Sequence, residues 1–111
     1  MSSNVTVPAP VQAFVDAINS ADTDAFVDLF TPDGLVNDWD TEYTGHEGVR
    51  RWADSDAIGA LAKMTLLTAS TEADTTTVRF DWSSRVFNGE STGIFVVHDE
   101  RLRSFTIPPN H

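Results

Sequence analysis

A helical period in the first half of the chain and a strand period in the second predict an α+β fold, with helices packed on one face of an antiparallel sheet. Three observations carry that prediction. Val11, Phe14, Val15 and Ile18 fall at i, i+3, i+4 and i+7, the single apolar stripe of an amphipathic helix. From Lys63 onward the pattern shifts to runs rich in Thr and Val, residues that suit a pleated surface. The pairs Ala73-Asp74, Asn88-Gly89 and Asp99-Glu100 are turn formers that cut those runs into four strand lengths.

Each element follows from its residues. Residues 1–9 read as a short flexible lead. Pro10 suits the first turn of a helix, where its missing N–H costs nothing. Asn19 to Asp22 ends that helix, and Asp22 or Thr23 caps a second one, with Asp24 favourable in its first turn. Phe26, Leu29 and Phe30 form its apolar face, and Pro32 with Asp33-Gly34 stops it in a turn. Leu35 to Trp39 reads as one short strand. Thr44-Gly45-His46-Glu47 fits a capping box and opens a third helix, with Val49, Trp52 and Ala53 facing inward and a weak continuation towards Ala60. Lys63 to Thr71, Thr76 to Phe87, Glu90 to His98 and Leu102 to Ile107 are the four strands, with Asn88-Gly89 as a tight hairpin and Pro108-Pro109 as the stop. Residues 1–111 make one domain, without repeat or linker.

Composition excludes several functions. The chain has 17 Asp+Glu against 7 Lys+Arg and a formal net charge of -10, so phosphate backbones and anionic lipid repel it. Nucleic acid and membrane are therefore not expected partners. No run approaches the roughly 18 apolar residues of a membrane helix. Met1 to Pro10 has neither the basic start nor the apolar stretch of a signal peptide, which makes the cytoplasm the expected compartment. With no cysteine, thiolate chemistry and disulfides are excluded. His46, His98 and His111 have no partners at ligand spacing, and there is no glycine-rich phosphate loop, so neither metal nor cofactor is expected.

Two constellations carry possible chemistry. Asp38 lies in an apolar strand beside Trp39 and shares a face with Val36. A carboxyl among apolar side chains has a raised pKa and can act as a general acid or base. The other reading puts Asp38 at a frayed strand end, in water with Asp40 and Glu42. Arg79 and Asp81 share a face, opposite Phe80 and Trp82. Either they form a solvated ion pair, or they face a pocket and leave Val78, Phe80, Trp82 and Val86 as an apolar stripe for a second subunit.

The residues Val11-Gln12-Ala13-Phe14-Val15, Ala17-Ile18-Asn19, Asp22, Asp24, Leu29-Phe30, Asp33-Gly34, Asp38 and Gly45-His46-Glu47-Gly48-Val49 resemble the superfamily of nuclear transport factor two, ketosteroid isomerase and SnoaL-type polyketide cyclases. The resemblance is clearest over residues 11–54. It implies a cystatin-like cone, three N-terminal helices packed on a curved antiparallel sheet around a central pocket, and a homodimer through the outer sheet face. It places Asp38 where ketosteroid isomerases keep their proton-shuttling aspartate. Phe14 stands where those enzymes carry an oxyanion-binding tyrosine, and near Gly93 no carboxyl replaces their second donor. Each such donor is worth about 3 kcal/mol or more, so ketosteroid isomerisation itself is not expected. Arg79-Phe80-Asp81 is similar to the Arg-x-Asp pair of limonene epoxide hydrolases, and Asn37 to their water-holding asparagine, but their further acid would fall near Ile107.

The reading that results is a SnoaL-like enzyme acting on a small apolar organic molecule by cofactor-free acid–base chemistry. Asp38 is the expected proton carrier, with Arg79 and Asp81 orienting a polar group. Phe14, Val36, Trp52, Phe95, Val97 and Phe105 are the expected apolar wall. The alternative is a non-catalytic dimeric ligand-binding module of the same fold.

Overall fold

The computed structural model describes residues 5–108. Residues 1–4 of the expected lead, and Pro109 and His111, lie outside them. Helix α1 (Ala9–Asn19) has Pro10 in its first turn and buries Val11, Phe14, Val15 and Ile18, the stripe that predicted it. The lead is not loose throughout, since Val5 and Val7 pack against the core. Helix α2 (Thr23–Asp28) is capped by Asp22, whose Oδ1 accepts from the Ala25 N–H at 3.1 Å.

Strand β1 (Phe30–Asp38) is longer than expected. Pro32 and Gly34 do not stop the chain. They sit in an irregular stretch between Phe30 and Leu35, where the pairing register shifts. Strand β2 (Thr41–Thr44), unforeseen, folds back on β1 through a two-residue turn. Helix α3 (Gly45–Asp56) starts where the capping box put it, but Thr44 makes no side-chain cap. The His46 ring instead bonds the Phe30 carbonyl at 2.8 Å and ties the start of α3 to β1. A short 3-10 turn, Ile58–Ala60, replaces the expected tail of the helix.

Strands β3 (Lys63–Glu72), β4 (Thr75–Ser83), β5 (Asn88–His98) and β6 (Arg101–Ile107) form the expected meander. The sheet order is β2-β1-β6-β5-β4-β3, and every pair is antiparallel except β1 with β6. The turns at Ala73-Asp74 and Asp99-Glu100 are where the sequence put them. Asn88-Gly89 is a correction: both residues already belong to β5, opposite Ser83 and Trp82. The reversal is a four-residue loop, Ser84 to Phe87. The Ser84 N–H donates to the Phe87 carbonyl at 3.0 Å, and its Oγ accepts from the Phe87 N–H at 3.0 Å. One polar side chain closes the loop, and it outweighs the pair statistics.

The curved sheet wraps the helices in the nuclear transport factor two-like cone. Its interior is aromatic. Phe14 from α1 stands 4.9 Å from Phe95 and 4.7 Å from Phe105, ring centre to ring centre, and 5.0 Å from Phe26. Gly93 makes room for this packing, because a Cβ there would come within 2.7 Å of the Phe105 ring.

Candidate functional site

Away from the packed rings under α1, the cone holds a cavity of about 370 Å³. Its floor is Trp52 from α3 and Phe80 and Trp82 from β4. Alternation along β4 turns Val78, Phe80 and Trp82 inward, while Thr77, Asp81 and Ser83 are exposed. Three polar groups open onto the space: Asp38 at the end of β1, Asp56 at the end of α3, and Ser91 on β5.

Asp38 is held by one partner. The Trp52 indole Nε1–H donates to Asp38 Oδ2 at 3.0 Å, which fixes the carboxyl and leaves Oδ1 without a hydrogen-bond partner among the described residues. Burial raises the Asp38 pKa above its ordinary value, the Trp52 hydrogen bond pulls it down, and the negative charge of Asp56 raises it further. The Tyr43 phenol feels the same corner: burial, then Asp56 and Asp38, push its pKa up, against Arg51. The Asp56 Oδ1 accepts from Ser55 Oγ at 2.6 Å. Among the described residues that line the cavity there is no Lys, Arg or His.

Ser91 is only 2 % exposed, and its hydroxyl has no hydrogen-bond partner among the described residues. No unpartnered side-chain oxygen is sealed away from solvent, so this hydroxyl faces the cavity. A polar atom in such a place is costly unless something hydrogen-bonds it.

The rim is built for exposure. Trp39 and Asp40 both have positive φ, 52° and 70°, the signature of a type I′ turn. Tryptophan in that conformation carries roughly 1–2 kcal/mol of steric cost. The turn is held by Asn37 Oδ1, which accepts from the Asp40 N–H at 3.0 Å, and by the Trp39 N–H donating to the Ile107 carbonyl at 3.0 Å. The result places a half-exposed Trp39 at the mouth, facing Val86 and Phe87 of the Ser84–Phe87 loop, which are 63 % and 43 % exposed.

The residues singled out in the sequence divide sharply. Asp38 and Trp52 line the cavity and are hydrogen-bonded, but Phe14, expected with them, is not among its lining residues. Arg79 and Asp81 do not line the cavity. They lie on the outer face, where Arg79 donates to Thr92 Oγ1 at 3.0 Å and pairs with Glu90 at 3.1 Å, an exposed bridge. Asp81 stands opposite Glu90, and Arg79, diagonal to it, offsets two like charges. Val78, Phe80 and Trp82 are buried within the protomer, so the apolar stripe inferred from the opposite placement does not exist. Phe14, Val36, Phe95 and Phe105 are core rather than wall, since their side chains fill the space the pocket was expected to occupy. Val97, half-buried, packs against that core beyond a register shift in β5. Asn37 holds a turn, not a water. Asp56 and Ser91 were missed: Asp56 reads as a helix-end acid, and Ser91 as one polar residue in an alternating strand. The one available signal was that Ser91 falls in the inward phase set by Gly93 and Phe95.

Among the described residues no group of three His, Asp or Glu side chains gathers at a distance fit for a metal, and no helix is long and apolar enough to cross a membrane. The profile of the SnoaL-like domain matches residues 11–105. A candidate polyketide cyclase from Sinorhizobium meliloti superposes with a TM-score of 0.80 at 27 % identity, over 91 % of this chain and 94 % of that one. A ketosteroid isomerase-like protein from Catenulispora acidiphila, in complex with trimethylamine, gives 0.77 at 20 % identity, over 92 % and 85 %. The orange carotenoid protein of Anabaena, binding canthaxanthin, gives 0.78 at 13 % identity, with 97 % of this chain on 38 % of that one. Curated proteins give no match.

Proposed function

The chain belongs to the SnoaL-like domain family, and from that premise we propose that it is a small-molecule enzyme working by general acid–base chemistry, with Asp38 as the proton carrier. The observation that carries this reading is the Asp38 carboxyl oriented in an aromatic cavity, its Oδ2 held by Trp52 and its Oδ1 left for a ligand. The raised pKa brings its basicity closer to that of the carbon acids and enols it would serve. A base alone is a weak catalyst, and Ser91 supplies the second polar group. In the proposed step Asp38 takes a proton from a carbon next to a carbonyl, and the Ser91 hydroxyl donates a hydrogen bond to the oxygen that gains charge. Returning the proton to a different carbon or oxygen completes an isomerisation, cyclisation or elimination. The substrate sits between Trp39 and Phe87 at the mouth and Trp52 and Trp82 within, which suits a flat, mostly apolar molecule. Arg79 and Asp81 are not part of this proposal.

The proposed assembly is a homodimer through the outer sheet face, where Leu35, Ile94 and Val96 are only partly covered among Thr92, Ser104 and Thr106. Sedimentation at micromolar concentration checks it, and a clean monomer would remove it.

The chemistry is tested with a flat enolisable ketone, 2-tetralone, in deuterated buffer, following loss of its α-hydrogen signal by NMR. The wild type should accelerate exchange by about 10² or more. Asp38→Asn should lose that acceleration, and Ser91→Ala should lose a substantial part of it. A ketone that binds in the cavity without faster exchange would make the chain a ligand-binding module.

A further inference from the structure

We infer that the natural ligand of this cavity is an organic cation, a protonated amine on a flat apolar body, with its nitrogen between Asp38 and Asp56. The inference rests on the reading of the cavity as the binding site and names the class of molecule that fits it. Two carboxyl groups lie on one side of the cavity, close enough that the charge of one acts on the other. Buried or half-buried acids are normally offset by Lys, Arg or His, and none of these is among the described residues that line this space. Arg51, the basic group that acts on Tyr43, is exposed. The counter-charge is therefore left to the ligand.

The remaining walls fit the same guest. Trp39, Trp52, Trp82 and Phe87 line the same cavity as the acids, and the faces of aromatic rings attract a cation and repel an anion. Ser91, buried and with no hydrogen-bond partner for its hydroxyl among the described residues, gives independent reason to expect a ligand with a polar atom, since that oxygen opens onto the cavity. The net charge of -10 draws cations towards the protein at long range and disfavours carboxylate or phosphate ligands. A bound ammonium also aids the proposed chemistry. It opposes the effect of Asp56 on Asp38 and so favours the ionised, proton-accepting form once the site is occupied.

The test compares benzylamine with benzyl alcohol, two probes that match in ring and length and differ in charge at neutral pH. Titration is followed by chemical shifts of the Trp52 and Trp82 indole N–H groups in the full chain. The amine should bind at least tenfold more tightly than the alcohol. That preference should collapse in Asp56→Asn and in Asp38→Asn, while affinity for the alcohol stays within about twofold, which also shows that the variants fold. Equal or tighter binding of the alcohol would overturn the cation and leave the cavity as an apolar binding site. A preference that survives both substitutions would overturn it too, by tracing the attraction to overall charge. Failure of both probes to move the indole signals would remove the binding site and the cation together.

Discussion

Phe14, Phe95 and Phe105 stand ring against ring beneath α1, whereas Trp39, Trp82 and Phe87 near the β1–β2 turn stand around a cavity of about 370 Å³. Both regions are aromatic and both lie inside one cone. The first is packed ring on ring and serves stability. The second contains two carboxyls and a hydroxyl that has no partner among the described residues, which a folding core would exclude. In this chain large side chains have closed one part of the cone and confined the chemistry to the other. The S. meliloti relative shares the backbone, and the backbone alone does not decide which part stays open.

The contrast can be broken by substitutions in each region. Phe14→Ala should cost about 3–5 kcal/mol, read as a lower denaturant midpoint, because it removes a fully buried ring from a close-packed cluster. A cost well under that range would mean that Phe14 borders open space. Trp39→Asn should do the reverse. Asparagine tolerates the left-handed conformation, so stability should hold or rise by up to about 1 kcal/mol while ligand affinity falls. A destabilised Trp39→Asn variant would show the rim to be structural. The smallest effect belongs to the outer face: Arg79→Ala should change stability by less than about 1 kcal/mol and leave ligand binding untouched, since its pair with Glu90 is exposed. Loss of binding there would return Arg79 to the site.

The sequence made the fold legible because periodicity reports which face is buried. The Val11–Ile18 stripe and the alternation through Val78, Phe80 and Trp82 both appear in the structure as inward faces. Read alone, the Arg79–Asp81 pattern favours a solvated ion pair, and both residues do lie on the outer face, although Arg79 pairs there with Glu90. The resemblance to enzymes with a polar pair on this strand argued for the pocket, and it misled because it carries positions without the side chains that fill the cone. Asp38 was legible for the opposite reason, since its phase with Val36 and the resemblance agree. Asp56 and Ser91 were not, because each depends on three elements meeting at one place. The wall residues failed on volume: periodicity says that Phe95 and Phe105 point inward, but not whether anything is left between them.

The central claim is that Asp38 is kept for its chemistry and not for the fold, and thermal unfolding of Asp38→Asn tests it most directly. Burial and Asp56 hold the folded pKa of Asp38 above its unfolded value of about 3.9. A carboxyl with a raised folded pKa binds its proton more tightly in the native chain. Its stability contribution is therefore fullest below the unfolded pKa and is lost as pH rises through the folded value. At neutral pH ionised Asp38 costs stability, whereas asparagine still accepts the Trp52 hydrogen bond and carries no charge. The expected result is a Tm at pH 7 equal to or above that of the wild type, with the difference shrinking below about pH 4. A marked fall in Tm at pH 7 would make Asp38 a structural acceptor for Trp52 and would contradict the claim.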